Sequence, residues 1–123
     1  MNQKPKVLIV DDEPFNVDYL EQRLEDVNCQ VITASDGKEA LDKIKREEPD
    51  LVLLDLMMPV IDGFAVLSEV KADPVLRDIP IIIISADSDS KSIVRGIKQG
   101  ADDYLTKPVN ADLLLKKVRE YLG

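Results

Sequence analysis

Three carboxylates, one hydroxyl and one ammonium each follow a short apolar run in this 123-residue chain. Asp11 and Asp12 follow Val7-Leu8-Ile9-Val10, and Asp55 follows Leu51-Val52-Leu53-Leu54. Ser85 follows four consecutive isoleucines at 81–84, and Lys107 follows Tyr104-Leu105-Thr106. If those runs are parallel strands of one sheet, the five groups gather at its carboxyl edge, where open α/β sheets place their ligands. Such a set suits a divalent cation and a phosphoryl group. Carboxylate oxygens bind hard ions such as magnesium, and a carboxylate can attack phosphorus to form an acyl phosphate. Singly, each group has a plainer reading: Asp55 a strand-end turn cap, Asp11-Asp12-Glu13 a solvated acidic turn, Ser85 a strand end, Lys107 a surface lysine.

Composition narrows the field. With 24 acidic against 16 basic side chains the net charge is -8, which argues against direct nucleic-acid binding, since that needs a basic footprint. There is no histidine. That excludes a histidine-ligated zinc site, a Ser-His-Asp triad and a phosphohistidine within this chain. Cys29 is the only cysteine, so no internal disulfide forms, and a half-buried bystander thiol is expected. No apolar run reaches the length of a membrane span, and no charged-then-apolar leader opens the sequence. A cytoplasmic protein is the expectation.

Two periodicities alternate along the chain. Residues 6–11 read as a buried strand. Pro14 suits a first helical turn, with Val17, Leu20, Leu24 and Val27 at helical spacing. Val31-Ile32-Thr33 read as a brief second strand. Asp36 with Glu39 resembles a capping box, and Ala40, Leu41 and Ile44 give that helix its apolar face before Pro49 ends it. Residues 51–54 form the third strand. Met58-Pro59 and Asp62-Gly63 mark a loop, with Asp62 capping a helix that carries Phe64, Leu67 and Val70. The isoleucines at 81–84 predict a strand buried on both faces. Ile93, Val94 and Ile97 define a fourth helix closed by Gly100, residues 103–106 a fifth strand, and Asn110 the cap of a last helix bearing Leu114, Leu115, Val118 and Leu122. Five β-α units in strict alternation predict an α/β fold: a single-domain, doubly wound, five-stranded parallel sheet with helices on both faces.

Four motifs in order carry a family resemblance. They are Val10-Asp11-Asp12-Glu13; Leu54-Asp55-Leu56-Met57-Met58-Pro59 with Asp62-Gly63; Ile84-Ser85-Ala86; and Gly100-Ala101-Asp102-Asp103-Tyr104-Leu105-Thr106-Lys107-Pro108. The chain resembles the receiver domain of bacterial two-component response regulators, a CheY-like fold. The likeness runs over about residues 6–122, so one receiver domain is expected across 1–123. The resemblance implies the flavodoxin-like strand order 2-1-3-4-5, in which strands 1 and 3 flank the topological switch point.

The resemblance also implies roles. Asp55 is the phosphoacceptor. Asp12, Asp55 and the backbone carbonyl of Met57 bind Mg2+, with Mn2+ as an alternative ion, and Asp11 binds through water. Lys107 pairs with the phosphoryl oxygens, aided by a cis bond to Pro108. Ser85 donates to the phosphoryl group, and Tyr104 moves inward as Ser85 shifts. Met57 and Asp87 flank the site and are expected to tune the lifetime of the acyl phosphate by gating water. Three clustered carboxylates repel, so some of their pKa values should rise.

The implied donor is a histidine kinase or a histidine phosphotransfer protein. The implied readout is the face of helix four, strand five and helix five, with Ile93, Ile97, Tyr104 and Leu113 as candidate contacts. A switch is expected rather than an enzyme with its own turnover. A flavin carrier is disfavoured, since Asp11-Asp12-Glu13-Pro14 would repel phosphate. An aspartate-based phosphatase is disfavoured by Leu56-Met57 after Asp55. A receiver-shaped scaffold that never accepts phosphate is disfavoured by the complete residue set. No effector domain is expected within these residues. A separate target, an effector domain beyond them and a phosphorylation-dependent homodimer all stay open.

Overall fold

The computed structural model describes residues 4–58, 61–86 and 90–123. Its strands are β1 (Lys6–Val10), β2 (Gln30–Ala34), β3 (Leu51–Asp55), β4 (Ile81–Ala86) and β5 (Asp103–Lys107). Its helices are α1 (Pro14–Leu24), α2 (Gly37–Glu47), α3 (Gly63–Ala72), α4 (Ser90–Lys98) and α5 (Ala111–Leu122). The strands are parallel and lie in the order β2-β1-β3-β4-β5. The expected doubly wound α/β fold is therefore present, and its switch point falls between β1 and β3.

Side-chain alternation along the strands divides the core. Leu8, Val10, Val52, Leu54, Ile81 and Ile83 pack on one face against Ile44 of α2 and Leu67 of α3. Val7, Ile9, Leu51, Leu53, Ile82 and Ile84 pack on the other against Leu24 of α1 and Val118 of α5. The four isoleucines of β4 are buried, as expected of a strand covered on both sides. Burying each such side chain stabilises the fold by on the order of 2 kcal/mol, so the sheet is a stiff platform for its carboxyl edge.

The strand ends differ from the sequence reading. β4 continues past the isoleucines through Ser85 and Ala86, and β5 reaches Lys107. Ser85 pairs with Thr106, and Ala86 with Lys107. Apolar periodicity stops where polar side chains begin, but the backbone ladder does not. β2 likewise gains Gln30 and Ala34, while β1 stops at Val10 and leaves Asp11 at its exit.

Helix starts follow the polar signals. Asp36 Oδ1 accepts the Glu39 N–H at 2.7 Å. The return arm of Glu39 lands on the Ser35 N–H at 2.6 Å, one residue before the cap. Asp62 caps α3 through the Ala65 N–H, and Asn110 caps α5 through the Leu113 N–H. Glu48 adopts a left-handed φ of 45° and closes α2 ahead of Pro49. In α4 the apolar residues do not define the buried face: Val94 and Ile97 are exposed, and the helix buries Gly96. A Cβ on Gly96 would stand 2.6 Å from Ile83 Cδ1, so glycine lets α4 lie close to β4.

Candidate functional site

The carboxyl edge collects the expected groups. Asp11 is buried at the exit of β1, and its Oδ1 accepts the Glu13 N–H at 2.9 Å. Asp12 follows it, half-buried. Asp55 ends β3, buried, with Oδ1 accepting the Met57 N–H at 3.1 Å. One oxygen from each of these three carboxylates lies within 4.8 Å of the others. Lys107 Nζ stands 3.5 Å from Asp11 Oδ2 and 3.6 Å from Asp55 Oδ1. The Lys107–Pro108 peptide bond is cis.

Two polar atoms at this edge are buried without a hydrogen-bond partner: Asp11 Oδ2 and Ser85 Oγ. The ammonium 3.5 Å from Asp11 Oδ2 attracts it by charge without making a hydrogen bond. Unsatisfied buried polar atoms are costly and uncommon. Both become intelligible if the pocket is built to receive other groups. Three carboxylates with oxygens this close offer a hard cation the oxygen ligands it prefers, so the donor set fits Mg2+.

The Asp55 carboxyl is pushed up to about 6. Burial is the largest cause, and the neighbouring charges of Asp11 and Asp12 add to it. The Met57 N–H and the Lys107 ammonium work in the opposite direction. A rise was expected from mutual repulsion; loss of solvent outweighs repulsion here.

Glycines shape the floor of the site. The Gly63 N–H donates to the Leu56 carbonyl at 3.1 Å, closing the loop after β3. A Cβ on Gly63 would fall 2.5 Å from the Asp55 carbonyl oxygen. A Cβ on Gly37 would overlap the carbonyl oxygen of Ile61, so α2 presses on the same loop. Asp62-Gly63 signals a turn in sequence, but neither close approach is visible there.

The surrounding surface is uneven. The Met57 side chain is exposed beside the carboxylates, and Phe15 on α1 is 80% exposed; Phe15 carried no weight in the sequence reading. Tyr104 points outward at 44% exposure, its ring centre 5.8 Å from Lys117 Nζ. Ile93 and Ile97 line a groove with it, Ile97 exposed and Ile93 half-buried, and Leu113 is exposed on α5. Val94 is exposed on the same helix. Asp87 and Pro59 lie outside the described residues. No helix among the described residues is long and apolar enough to cross a membrane.

Known proteins are similar to this chain in sequence and fold. The family model described as "Response regulator receiver domain" matches residues 7–119. The chain is 44% identical to a Porphyridium aerugineum protein named "Probable transcriptional regulator ycf27", over 98% of this chain and 49% of that protein. It is 42% identical to the response regulator PleD of Caulobacter vibrioides, over 93% of this chain and 25% of PleD. The chain thus spans about half the length, or less, of these curated relatives. Among solved structures, the receiver domain of Francisella response regulator 1452 superposes with a TM-score of 0.87 at 35% identity, covering 96% of each chain. The strand order, the acidic edge and these matches agree: the chain belongs to the response regulator receiver domain family of two-component systems.

Proposed function

We propose that this chain is a phosphorylation switch in which Asp55 takes a phosphoryl group from a phosphohistidine on a separate kinase or phosphotransfer protein. The observation that carries the reading is convergence at one edge. Asp11, Asp12 and Asp55 share a space of 4.8 Å, Lys107 reaches Asp11 and Asp55, and Asp11 Oδ2 and Ser85 Oγ are buried unsatisfied beside them.

An Asp55 carboxylate oxygen attacks phosphorus, a P–O bond forms, and the P–N bond to the donor imidazole breaks with its electron pair. A value near 6 leaves Asp55 mostly ionised at neutral pH, as a nucleophile must be. Lys107 stabilises charge on the transferring oxygens, because this chemistry depends on positioning and electrostatics. Asp12, Asp55 and the Met57 carbonyl would hold Mg2+, with Asp11 acting through water; Mn2+ is the alternative ion. When bound, that cation supplies the positive charge that offsets three carboxylates and a phosphoryl group.

Phosphorylation then favours the conformation in which Ser85 and Lys107 contact the new oxygens. Tyr104 follows Ser85 inward, and the face made by α4, β5 and α5 changes shape. That face addresses a target protein, an effector domain or a second copy. Hydrolysis of the acyl phosphate resets the switch, assisted by the same site and tuned by Met57 and Asp87. Residues 1–123 act as one receiver domain, in the cytoplasm.

Intact mass spectrometry after incubation with Mg2+ and acetyl phosphate tests the reading. Wild type should gain one labile phosphoryl group, and Asp55→Asn should gain none. Equal labelling of the two proteins would place the acceptor elsewhere.

A further inference from the structure

We infer that Tyr19 is a positioning residue for Lys107, acting through the backbone carbonyl of Val109. The inference rests on the phosphoryl-binding role of Lys107 proposed above. Tyr19 lies on α1, and its hydroxyl donates to Val109 O at 2.9 Å, across 90 positions of sequence. Among the described residues no other side chain donates a hydrogen bond to residues 108–110. The Arg23 guanidinium carbon lies 4.6 Å from the centre of the Tyr19 ring, steadying it from the next turn of α1.

The loop leaving β5 needs such a tether. A cavity of about 210 Å³ separates it from α1, lined by Asp11, Phe15, Tyr19, Lys107, Pro108 and Val109 among others. Pro108 and Asn110 are exposed and only Val109 packs toward the core, so the loop is held from one side. Pro108 lacks an N–H and cannot anchor it. Lys107 ends β5, its backbone paired with Ala86, and its ammonium sits on a flexible four-carbon stem, so the path of the backbone just past it, at 108–109, sets the direction from which that stem reaches the carboxylates. Small misplacements of a charge-stabilising group weaken its effect steeply.

The test uses beryllofluoride, an inorganic stand-in for a phosphoryl group, with Mg2+, its binding followed by fluorine NMR. Tyr19→Phe removes one oxygen and keeps the ring in place, so the fold is retained; a thermal melt verifies this. Beryllofluoride affinity should fall about five-fold, the equivalent of one net hydrogen bond, while Mg2+ affinity measured alone stays within about two-fold. In a Lys107→Ala background, whose weaker binding is read at higher beryllofluoride concentration, adding Tyr19→Phe should change nothing. Equal losses in the two backgrounds would make Tyr19 merely structural and overturn the inference, as would wild-type affinity in Tyr19→Phe. Failure of the wild-type protein to bind beryllofluoride would instead strike the proposed phosphoryl site itself.

Discussion

The guanidinium carbon of Arg95 lies 3.9 Å from the centre of the Phe64 ring, joining α4 to the first turn of α3. Gln99 extends the clasp: it accepts from Arg95 Nε at 3.1 Å and donates to Ser68 Oγ at 2.5 Å. The clasp matters because α4 has little else to hold it. Its buried residue is a glycine, and Val94 and Ile97 face solvent. Arg95→Ala should therefore remove roughly 1 kcal/mol of cation–π attraction. Native-state hydrogen exchange should show faster opening of α4 amides, with β1 and β3 amides unchanged. Identical α4 exchange in the two proteins would mean that the helix is held by other contacts.

Asp55 makes stability depend on pH in an unusual direction. Its folded value, about 6, lies above the ordinary 3.8. Between those values the folded state binds more protons than the unfolded chain, so stability falls as pH rises. The contribution is fully present below pH 3.8 and lost as pH passes 6, with a ceiling of about 3 kcal/mol. In the absence of divalent ions, Asp55→Asn should melt higher than wild type at pH 7.5. The gap should shrink at pH 4.5, and 10-fold excess Mg2+ over its dissociation constant should shrink it at pH 7.5 through preferential binding to the folded wild type. A mutant no more stable than wild type at pH 7.5 would show that the buried charge carries no such penalty.

Gly63 is intolerant of any side chain. A Cβ there meets two backbone atoms, the Asp55 carbonyl oxygen at 2.5 Å and Leu56 Cα at 2.7 Å. Neither can move without moving Asp55. Gly63→Ala should cost roughly 1–3 kcal/mol, as overpacking does, and should slow labelling by acetyl phosphate. Denaturant unfolding and labelling rate would both have to stay at wild-type values for this account to fail.

Lys71 is a structural lysine rather than a surface charge. Nζ donates to the carbonyls of Arg77 and Ile79, each at 2.9 Å, and pairs with Asp102 Oδ2 at 3.3 Å. The same carboxylate oxygen accepts the Ile81 N–H at 2.8 Å. Lys71→Met keeps the stem and strands these acceptors, so a loss of about 1–3 kcal/mol is expected. The site at the opposite sheet edge should still bind Mg2+ normally. Weakened Mg2+ binding in this variant would mean that the two edges are coupled.

What sequence could disclose follows from what it encodes locally. Isoleucines at 81–84 announce a strand buried on both sides, and Asp36, Asp62 and Asn110 announce helix starts, because each signal is set by near neighbours. The placement of Asp11, Asp55 and Lys107 at one edge also followed, since parallel strands share a direction. The Lys71 staple, the Arg95–Phe64 contact and the Tyr19–Val109 bond did not follow. Each links residues far apart in sequence through one side chain, with no periodicity to betray it. Phe15 is similar: it lies outside the apolar repeat of Val17, Leu20 and Leu24, and its exposure at 80% shows only once α1 is placed on the sheet. The dominance of burial over charge repulsion at Asp55 likewise depends on how deeply the end of β3 is enclosed.

Ser85 and Lys107 are carried by adjacent strands in a continuous hydrogen-bonded register, Ser85 opposite Thr106 and Ala86 opposite Lys107. Neighbouring parallel strands keep a spacing of about 4.8 Å whatever their side chains. The ladder is thus a ruler for the two backbones that carry hydroxyl and ammonium; the last stretch, from the end of β5 to the ammonium itself, is left to the lysine stem and the loop that follows it. Helix exteriors remote from that loop can be rewritten to suit new correspondents while the strand spacing beneath the site stays unchanged, which leaves recognition and chemistry free to evolve at different speeds.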